Sequence, residues 1–483
     1  MRKWTRHIVF VLMVLVFCLP LIQQSTNFIR IKELHKAGLP PSYPDFSVEA
    51  WVDGSFQEGT EQAIEQRVGF RPFFIRIRNQ LEYSLFRKAN ARGVIVGKKR
   101  YLFEEDYLRA YDGRDYPGDW YWKEKFRRAG LVIDTLMNLG VKTVVVVEPS
   151  KASYYDEYIP DEYIRDSADV KTNYGSIVEG CKDEQIPVLD LYSYFTSLKD
   201  QAAYPLFPKG GIHWSYYGML TAMDTLLPLV EEWTGKKVPS ISYPDFKPDG
   251  ELRGTDGDLA DLMNLLIEPS HPDMTYPDIE YQQVSDSLKP RVLAISDSFY
   301  FNILNAGIPD SAYANTAFWY YNVEIYPETW SSRKDTSMID FRAEIESMDL
   351  VMIMITERFF YKFAWTFFDR LFDIYYPDAA VDYRYYYTSR VMSHYLWFDQ
   401  VVEQSANEGK SLEQGLEDHS GYQFWQDEQK GLLLKNRSFY EMKIRHNEGW
   451  MQSVRNKAAK SGVSIDEQVQ LEAVWTLKNS KKQ

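Results

Sequence analysis

Cysteine is nearly absent from this 483-residue sequence, which contains only Cys18 and Cys181. Cys18 lies in an apolar run at the N-terminus, so a single cysteine is left for the rest of the chain. An intrachain disulfide in that part is therefore excluded, and so is a zinc site built on several cysteines. We expect no metal and no cofactor.

A basic surface is also lacking. The chain has 69 acidic and 55 basic residues, which gives a net charge of −14. Beyond the first few residues, no run rich in lysine and arginine alternates with aromatic residues. Nucleic acid is therefore not expected as a partner.

Aromatic residues are abundant, with 35 tyrosines, 27 phenylalanines and 13 tryptophans. Thick aromatic cores are one explanation, and surfaces that stack on carbohydrate are another. The run Trp319-Tyr320-Tyr321 is a candidate for such a surface. Both explanations stay open at this point.

The N-terminus predicts a membrane anchor. Three basic residues lie within the first six positions, and an uncharged apolar run follows over 8–22, which is typical of a signal sequence or an anchor. The run is shorter than the about 17–25 residues of a typical span, but extension through residue 28 gives a full span. Because no small-residue cleavage site follows Pro20, we expect an uncleaved anchor over 1–28, with a cleaved signal as the alternative. The positive-inside rule then places everything after Arg30 outside the cytoplasm, in the periplasm.

Buried strands alternate with helices along the middle of the chain. Near-continuous β-branched or apolar runs predict strands at 93–97, 141–147, 291–295 and 350–355, with a weaker one at 186–189 that Pro187 interrupts. Helical spacing of apolar residues covers 58–88, 122–139 and 220–230. This alternation indicates an α/β fold with a mostly parallel sheet.

Composition divides the chain further. We expect a linker at 29–47, a main domain at 48–377 with an irregular insertion rich in proline, aspartate and glycine at 232–289, and a helical C-terminal extension at 378–483. In the extension, 383–398 is predicted to be helical. Ser464 and Glu467 fit a capping box that begins the last helix.

Ser298 is the first candidate for catalysis. The strand 291–295 runs into Ser296-Asp297-Ser298, and a helical pattern follows. A serine at a strand-to-helix turn, at the carboxyl end of a parallel strand, suits a nucleophile and the oxyanion that it generates. The alternative is an N-cap, since serine and aspartate are both good caps.

His213 is the second candidate. It lies between Gly211 and Trp214, in a loop before the apolar helix 220–230. Histidine is the usual base for a serine nucleophile. A structural histidine packed on Trp214 is the alternative.

Two further segments follow predicted strands at the same rim of the sheet. Thr356-Glu357-Arg358 comes after 350–355, and Pro149-Ser150-Lys151 comes after 141–147. Charged side chains here are candidates for substrate contact. An ion pair that closes the strand end is the alternative.

Taken together, these segments resemble the SGNH-hydrolase-like domains of the alginate O-acetyltransferases of the AlgJ and AlgX type and the related DHHW proteins. The resemblance runs through most of residues 36–377, and the histidine precedes the serine in both. The segments that carry it are, in chain order, Leu39-Pro-Pro with Pro44-Asp-Phe-Ser, Trp51-Val-Asp-Gly-Ser-Phe-Gln57 with Phe70-Arg71, Val94-Ile-Val-Gly-Lys98 with Tyr101-Leu-Phe103, Val146-Val-Glu-Pro-Ser-Lys-Ala-Ser-Tyr154, Gly211-Ile-His-Trp214, Ile295-Ser-Asp-Ser-Phe299 and Glu357-Arg358.

This resemblance implies an SGNH-hydrolase-like three-layer sandwich with an N-terminal membrane anchor and a helical C-terminal extension. It implies an O-acyltransferase, in particular an O-acetyltransferase, that modifies an exported or cell-surface polysaccharide. A membrane-bound O-acyltransferase partner would deliver the acetyl group across the cytoplasmic membrane. Ser298 would take the acyl group and His213 would move the proton. The residues expected to contact substrate are Trp214, Trp319, Arg358 and Lys151.

One departure from the family pattern bears on activity. Gly211 stands where the family has the aspartate of Asp-x-His, and Ser296 stands where it has the glycine of Gly-Asp-Ser. Loss of the acid that orients the histidine can lower kcat by about 10⁴. We expect Asp190, or secondly Asp297, to replace it, and Gly211→Asp to leave activity level or raise it.

Two other functions therefore stay open. A carbohydrate esterase would use the same residues, with water as the second acceptor. A non-catalytic subunit that binds or assembles polysaccharide would retain the fold after losing the acid, and Gly211 is the reason to consider it.

Overall fold

The computed structural model describes residues 3–36, 38–164, 170–244 and 246–480. Its α-helices, in chain order, are α1 (Lys3–Thr26), α2 (Val48–Asp53), α3 (Ser55–Arg67), α4 (Arg71–Phe86), α5 (Glu105–Tyr111), α6 (Asp119–Asn138), α7 (Lys151–Tyr154), α8 (Asn173–Asp183), α9 (Leu191–Ser197), α10 (Tyr216–Thr234), α11 (Asp258–Leu262), α12 (Tyr300–Asn305), α13 (Ile308–Ala312), α14 (Phe341–Glu346), α15 (Phe367–Tyr375), α16 (Tyr383–Ser393), α17 (Tyr395–Asn407), α18 (Leu412–Gln429), α19 (Arg437–Arg445), α20 (Glu448–Ser461) and α21 (Ile465–Ser480). Its strands are β1 (Val94–Val96), β2 (Leu102–Glu104), β3 (Lys142–Val147), β4 (Val188–Asp190), β5 (Ile241–Ser242), β6 (Pro248–Asp249), β7 (Met274–Thr275), β8 (Glu280–Tyr281), β9 (Val292–Ser296), β10 (Ala317–Tyr320), β11 (Glu324–Tyr326) and β12 (Leu350–Ile355).

The chain divides into two compact units. The segment 232–289, expected as one insertion, contributes to both of them. The first unit comprises Met1–Glu105, Phe207–Ile212 and Gly250–Asp273, and the second comprises Asp106–Leu206, His213–Asp249 and Met274–Gln483.

In the first unit, α1 contains an apolar segment, Trp4–Thr26, that is long enough to cross a membrane. Only 6% of its most apolar window is buried. A signal sequence near the N-terminus has the same length and composition, so the helix fits both of the alternatives that the sequence left open.

The rest of the first unit builds a small core. The helical segment predicted at 58–88 forms α3 and α4, separated at Phe70, whose φ of 64° is left-handed. Strands β1 and β2 form an antiparallel hairpin. The buried side chains of this core are Tyr83, Val94, Leu102, Leu259 and Met263.

The second unit contains a six-stranded sheet in the order β11-β10-β9-β12-β3-β4. All neighbours in it are parallel except β10 and β11. The central strands β9 and β12 are buried along their whole length, as their continuous apolar runs predict. Strand β4 lies at the edge, where the loss of a backbone donor at Pro187 is tolerated.

Helices cover both faces of this sheet. Alternate residues of β3, β9 and β12 pack with α6, α8, α14 and α15 in one large core cluster. The intervening residues point to the opposite face, where α9 contacts β3 and α10 contacts β12. The result is a helix–sheet–helix sandwich whose carboxyl edge carries the ends of five parallel strands.

The C-terminal helices α16–α21 add two further aromatic clusters. One of them joins Tyr385 and Phe398 to Tyr121 of α6 and to Tyr361. The helix predicted over 383–398 is in fact two helices. The chain leaves helical geometry at His394, whose side chain accepts a hydrogen bond from the backbone N–H of Trp397 and so begins α17.

Candidate active site

Ser298 lies in the turn between β9 and α12. The backbone N–H of Phe299 donates to Oδ1 of Asp297 at 2.9 Å, and the N–H of Phe301 donates to the carbonyl of Ser298 at 3.2 Å. No side chain caps the short helix α12, so the Ser298 hydroxyl is not used as an N-cap. The turn therefore holds this hydroxyl in position for another partner.

That partner is His213. Its loop ends where Ser215 caps α10 by accepting from the N–H of Gly218 at 2.9 Å. Nε2 of His213 lies 2.8 Å from Oγ of Ser298. The imidazole is 8% exposed and packs on Phe299, with ring centroids 5.0 Å apart. In the tautomer with an unprotonated Nε2, the serine donates to the histidine, which is the arrangement that general base catalysis requires.

Asp297 is buried beneath this pair and anchors the neighbouring strand end. Its Oδ2 accepts from the backbone N–H of Thr356 at 3.3 Å and from the Thr356 hydroxyl. Burial raises the pKa of Asp297, while its hydrogen bonds and the charge of His213 oppose that rise. Through its hydrogen bonds to Thr356, Asp297 ties the end of β9 to the end of β12.

Asp190, the first candidate for the missing acid, lies at the edge of the sheet. Its Oδ1 accepts from the N–H of Ser193 at 2.9 Å and caps α9, and its Oδ2 accepts from the hydroxyl of Tyr174 at 2.8 Å. Both oxygens therefore serve neighbours other than His213. A role of Asp190 or Asp297 as the acid of a triad stays a prediction.

Glu148 is a member of this region that the sequence reasoning did not single out. It follows β3, and its backbone N–H donates to the carbonyl of Ile355 at 2.9 Å, so it lies beside the end of β12. Its side chain is fully buried, and within residues 3–36, 38–164, 170–244 and 246–480 neither carboxyl oxygen has a hydrogen-bond partner. Burial, and secondly the charge of Asp297, raise the pKa of Glu148 well above its ordinary 4.5. The folded protein therefore disfavours ionisation of this carboxyl group.

This assignment predicts a pH dependence of stability. Above pH 4.5 the unfolded chain loses the Glu148 proton while the folded protein keeps it, so the free energy of unfolding falls by up to about 1.4 kcal/mol per pH unit until the folded-state pKa is passed. Glu148→Gln cannot ionise and should remove that slope. Urea unfolding at pH 5 to 9 should show a variant whose advantage over wild type grows with pH. Glu179→Gln, at an exposed position of α8, is the matched control, and equal slopes for wild type and Glu148→Gln would contradict a buried protonated carboxyl group.

Gly211 is held in a cradle of backbone in the first unit. A Cβ built on it would lie 2.5 Å from the carbonyl oxygen of Thr255, 2.9 Å from that of Asp256 and 2.8 Å from Cγ of Pro208. The N–H of Ile212 donates to Asp258 at 2.8 Å and fixes the same contact. Any side chain at this position therefore forces the surrounding backbone to shift, and the expectation that Gly211→Asp keeps or raises activity stays a prediction.

The cradle yields a second prediction. Gly211→Ala should lower the free energy of unfolding by about 1–3 kcal/mol, the usual range for overpacking, and Gly211→Asp by more, because a carboxylate would face two carbonyl oxygens. Thermal unfolding of the full chain measures both. Gly257→Ala, whose new methyl would lie 3.4 Å from the flexible Leu252, is the control and should change stability far less. Wild-type stability in Gly211→Asp would show that the cradle opens freely.

Two of the residues expected to bind substrate lie in the core. Trp214 is fully buried between Phe195 and Phe299, and Trp319 is 1% exposed and packs on Phe341. Neither ring offers a face to a glycan, so these two assignments are corrected. Trp319 extends from β10 into the large core cluster, and Trp214 lies two residues before α10, where its ring packs on Phe299.

The two charged candidates differ from each other. Arg358 remains at the rim, where it stacks on Phe359 at 4.6 Å and forms an ion pair with Asp106 at 3.3 Å. An ion pair at this rim was the alternative to substrate contact, although the sequence did not identify Asp106 as the partner. Lys151 is 4% exposed in the first turn of α7. A direct role in substrate binding stays a prediction for both.

Comparison with known proteins agrees with the resemblance seen in the sequence. Residues 94–294 match the family model of the SGNH hydrolase-like domain of the acetyltransferase AlgX. His213 lies inside the match, which ends four residues before Ser298. The match confirms the resemblance, and the α/β architecture with its mostly parallel sheet is the SGNH-hydrolase-like fold.

Individual relatives are similar over part of the chain. The probable alginate O-acetylase AlgJ of Pseudomonas aeruginosa is 26% identical over 228 residues, which are 46% of this chain and 55% of that protein. The chain thus spans about half the length of this curated relative. The O-acetyltransferase domain of Pseudomonas putida AlgJ is 18% identical with a TM-score of 0.41, covering 58% of this chain and 99% of that one. Pseudomonas aeruginosa AlgX is 15% identical with a TM-score of 0.38, covering 57% and 67%.

Proposed function

We propose that the chain is an O-acetyltransferase that acts on an exported or cell-surface polysaccharide, since residues 94–294 match the SGNH hydrolase-like domain of the acetyltransferase AlgX. The observation that carries this proposal is the 2.8 Å contact between Nε2 of His213 and Oγ of Ser298 at the carboxyl edge of the sheet. A serine hydroxyl paired with an imidazole at such a turn is the minimal machinery for acyl transfer.

In the first half-reaction, His213 takes the proton of the Ser298 hydroxyl as Oγ attacks the carbonyl carbon of an acetyl ester or thioester. The tetrahedral intermediate collapses, the bond to the leaving group breaks, and His213 returns the proton to that group. The product is an acetyl ester on Ser298. Formation of this intermediate divides one difficult transfer into two easier ones.

In the second half-reaction, a sugar hydroxyl replaces the leaving group. His213 removes its proton as the sugar oxygen attacks the acetyl carbon, and the ester bond to Ser298 then breaks while Oγ regains a proton from His213. The glycan carries the acetyl group and the serine is restored. If water attacks instead, acetate is released, so the acceptor alone separates a transferase from an esterase.

The turn also supplies a donor for the oxyanion. In the part of the chain that the structure describes, the backbone N–H of Ser298 donates no hydrogen bond, whereas the N–H of Phe299 is engaged by Asp297. A backbone donor fixed beside the nucleophile stabilises the negative charge that develops on the acetyl oxygen.

Location and partners follow from the same proposal. The apolar segment Trp4–Thr26 would anchor the protein in the cytoplasmic membrane, with its bulk on the periplasmic side, where an exported polysaccharide passes. The relative AlgJ is named for alginate, and a carbohydrate acceptor is the substrate class that we carry over. The family resemblance further suggests that a membrane-bound O-acyltransferase supplies the acetyl group.

A second function has a specific observation in its favour. Gly211 occupies the position where the related family has the acid that orients histidine, and a Cβ added to it would lie only 2.5 Å from the carbonyl oxygen of Thr255. A chain that lost catalysis in this way would persist as a polysaccharide-binding or assembly subunit. The two proposals differ in whether Ser298 ever carries an acetyl group.

The deciding experiment incubates the full-length protein with an activated acetyl ester and an alginate oligosaccharide. Mass spectrometry should find the peptide that contains Ser298 heavier by one acetyl group, and the oligosaccharide should become acetylated. Release of acetate that is not affected by the oligosaccharide would identify an esterase. A serine that never becomes acetylated, in a protein that still binds the oligosaccharide, would identify a binding subunit.

A further inference from the structure

A cavity of about 250 Å³ lies in the second unit, apart from the Ser298 turn. We call it the Trp365 pocket. Pockets for drug-sized ligands usually have volumes of about 300–1,000 Å³, so this smaller cavity suits one sugar ring rather than a long oligosaccharide. The lining residues that matter for its chemistry are Tyr321, Phe359, Lys362, Trp365, Ser389 and Ser393.

Three aromatic rings form one wall of this pocket. The centroids of Tyr321 and Phe359 lie 5.1 Å apart, those of Tyr321 and Trp365 5.6 Å, and those of Phe359 and Trp365 5.8 Å. Each ring packs on the other two at an inclined angle, and only a small part of Phe359 and Trp365, which are 6% and 7% exposed, reaches the pocket. This apolar wall suits contact with the C–H groups of a pyranose.

The backbone that presents these rings is unusual. Phe363, Ala364, Trp365 and Thr366 all have positive φ, between 29° and 67°, and so do Tyr321 and Asn322. The two left-handed segments are joined, because Nδ2 of Asn322 donates to the carbonyl of Trp365 at 3.2 Å. Runs of non-glycine residues in this region of φ are costly and occur preferentially where a ligand is bound.

Lys362 gives the pocket a positive charge. Its ammonium group lies 5.6 Å from the ring of Phe359 and forms no ion pair with any residue that the structure describes. Burial, together with Arg358, lowers the pKa of Lys362 to about 8, although Asp399 and Asp106 oppose the shift. The pocket's other lysine, Lys125, is by contrast already paired with Asp369 at 2.7 Å.

The pocket lies at the same edge of the sheet as the candidate active site. The backbone N–H of Tyr321 donates to the carbonyl of Ser296 at 2.9 Å, two residues before Ser298. Phe359 belongs to the segment that follows β12. The opposite wall comes from α16, which lies outside the segment that matches the AlgX domain.

We propose that the Trp365 pocket binds one carboxylate-bearing pyranose of the acceptor polysaccharide, with the sugar face on the aromatic wall and the carboxylate on Lys362. The role of the bound sugar as an acceptor rests on the proposed function. The binding of a uronic acid rests on the residues of the pocket alone. The hydroxyls of Ser389 and Ser393, on the α16 side, face the sugar's own hydroxyl groups.

Calorimetry on the full-length Ser298→Ala protein tests the pocket without any acyl chemistry. This protein should bind an alginate tetrasaccharide at least about tenfold more tightly than cellotetraose, which has no carboxylate. Adding Lys362→Gln should abolish that difference, and adding Trp365→Ala should weaken binding of the alginate tetrasaccharide by about tenfold or more. Trp425→Ala, at an exposed tryptophan of α18, is the matched control and should have no effect.

Equal affinity for the two tetrasaccharides, or unchanged affinity in Lys362→Gln, would overturn the proposal. Lys362 is partly exposed, so its variant remains informative if Trp365→Ala does not fold. Acetylation of Ser298 in the wild type, measured separately, tests the proposed function. If Ser298 of the wild type becomes acetylated while the pocket variants bind the alginate tetrasaccharide normally, only the pocket proposal is refuted. If the tetrasaccharide binds in the pocket but Ser298 is never acetylated, only the proposed transferase function is refuted.

Discussion

Replacing Ser298 by alanine should lower the rate of acetyl transfer to an oligosaccharide by at least about 10⁴-fold, and His213→Ala should have a comparable effect. The reason is geometric. Oγ of Ser298 is the nucleophile that takes the acetyl group, and Nε2 of His213, at 2.8 Å, moves its proton. Because the two residues act as one unit, the double variant should be little slower than either single one.

The measurement is the initial rate of oligosaccharide acetylation with an activated acetyl ester as donor. Ser296→Ala is a close control, since Ser296 is fully buried two residues upstream and its hydroxyl has no hydrogen-bond partner among the described residues. It should retain the wild-type rate. Equal rates for wild type and Ser298→Ala would remove Ser298 from the mechanism, and a large loss in Ser296→Ala alone would indicate a different nucleophile.

Asp369→Asn should lower the free energy of unfolding by about 3–5 kcal/mol. Nζ of Lys125 donates to Asp369 at 2.7 Å, and the hydroxyl of Tyr385 donates to the other carboxylate oxygen at 2.7 Å. Burial by itself would raise the pKa of Asp369, but the charge and the hydrogen bond of Lys125 keep it below its ordinary value. The variant leaves the ammonium of Lys125, whose side chain is 2% exposed, without a counter-charge.

Urea unfolding measures this loss. The double variant Lys125→Met/Asp369→Leu should be much closer to wild type, because apolar residues of similar size replace a buried ion pair at little net cost. Arg342→Gln breaks an exposed pair with Glu346 on α14 and should cost less than about 1 kcal/mol. A small effect of Asp369→Asn would mean that water reaches Lys125.

The strands could be predicted because each buried strand carries a continuous apolar run, as in β9 and β12. The order of strands in the sheet could not, since no local pattern states which run pairs with which. The break at His394 was missed because the aromatic pattern of 383–398 continues through it, and only the cap on Trp397 reveals two helices.

Part of the candidate site could be predicted from the sequence. Ser298 and His213 could be singled out from their turn and loop, but their 2.8 Å contact joins residues 85 positions apart and needs the fold. Trp214 and Trp319 were misassigned because the position of a tryptophan in the sequence does not show whether its ring faces solvent or the core. Glu148 carried one usable signal, because its carboxyl group directly follows the four consecutive valines that end strand β3, and such a run predicts burial.

The aromatic cluster around α16 and α17 has a consequence for how the chain is divided. Tyr385 stacks on Tyr121 at 5.3 Å and Phe398 stacks on Tyr361 at 4.2 Å, so the C-terminal helices bury rings that belong to α6 and to the segment after β12. The hydrogen bond from Tyr385 to Asp369 crosses the same boundary. Residues on either side of 378 therefore share one buried aromatic core, and truncation of the chain at that point would expose the rings of Tyr121 and Tyr361 to water.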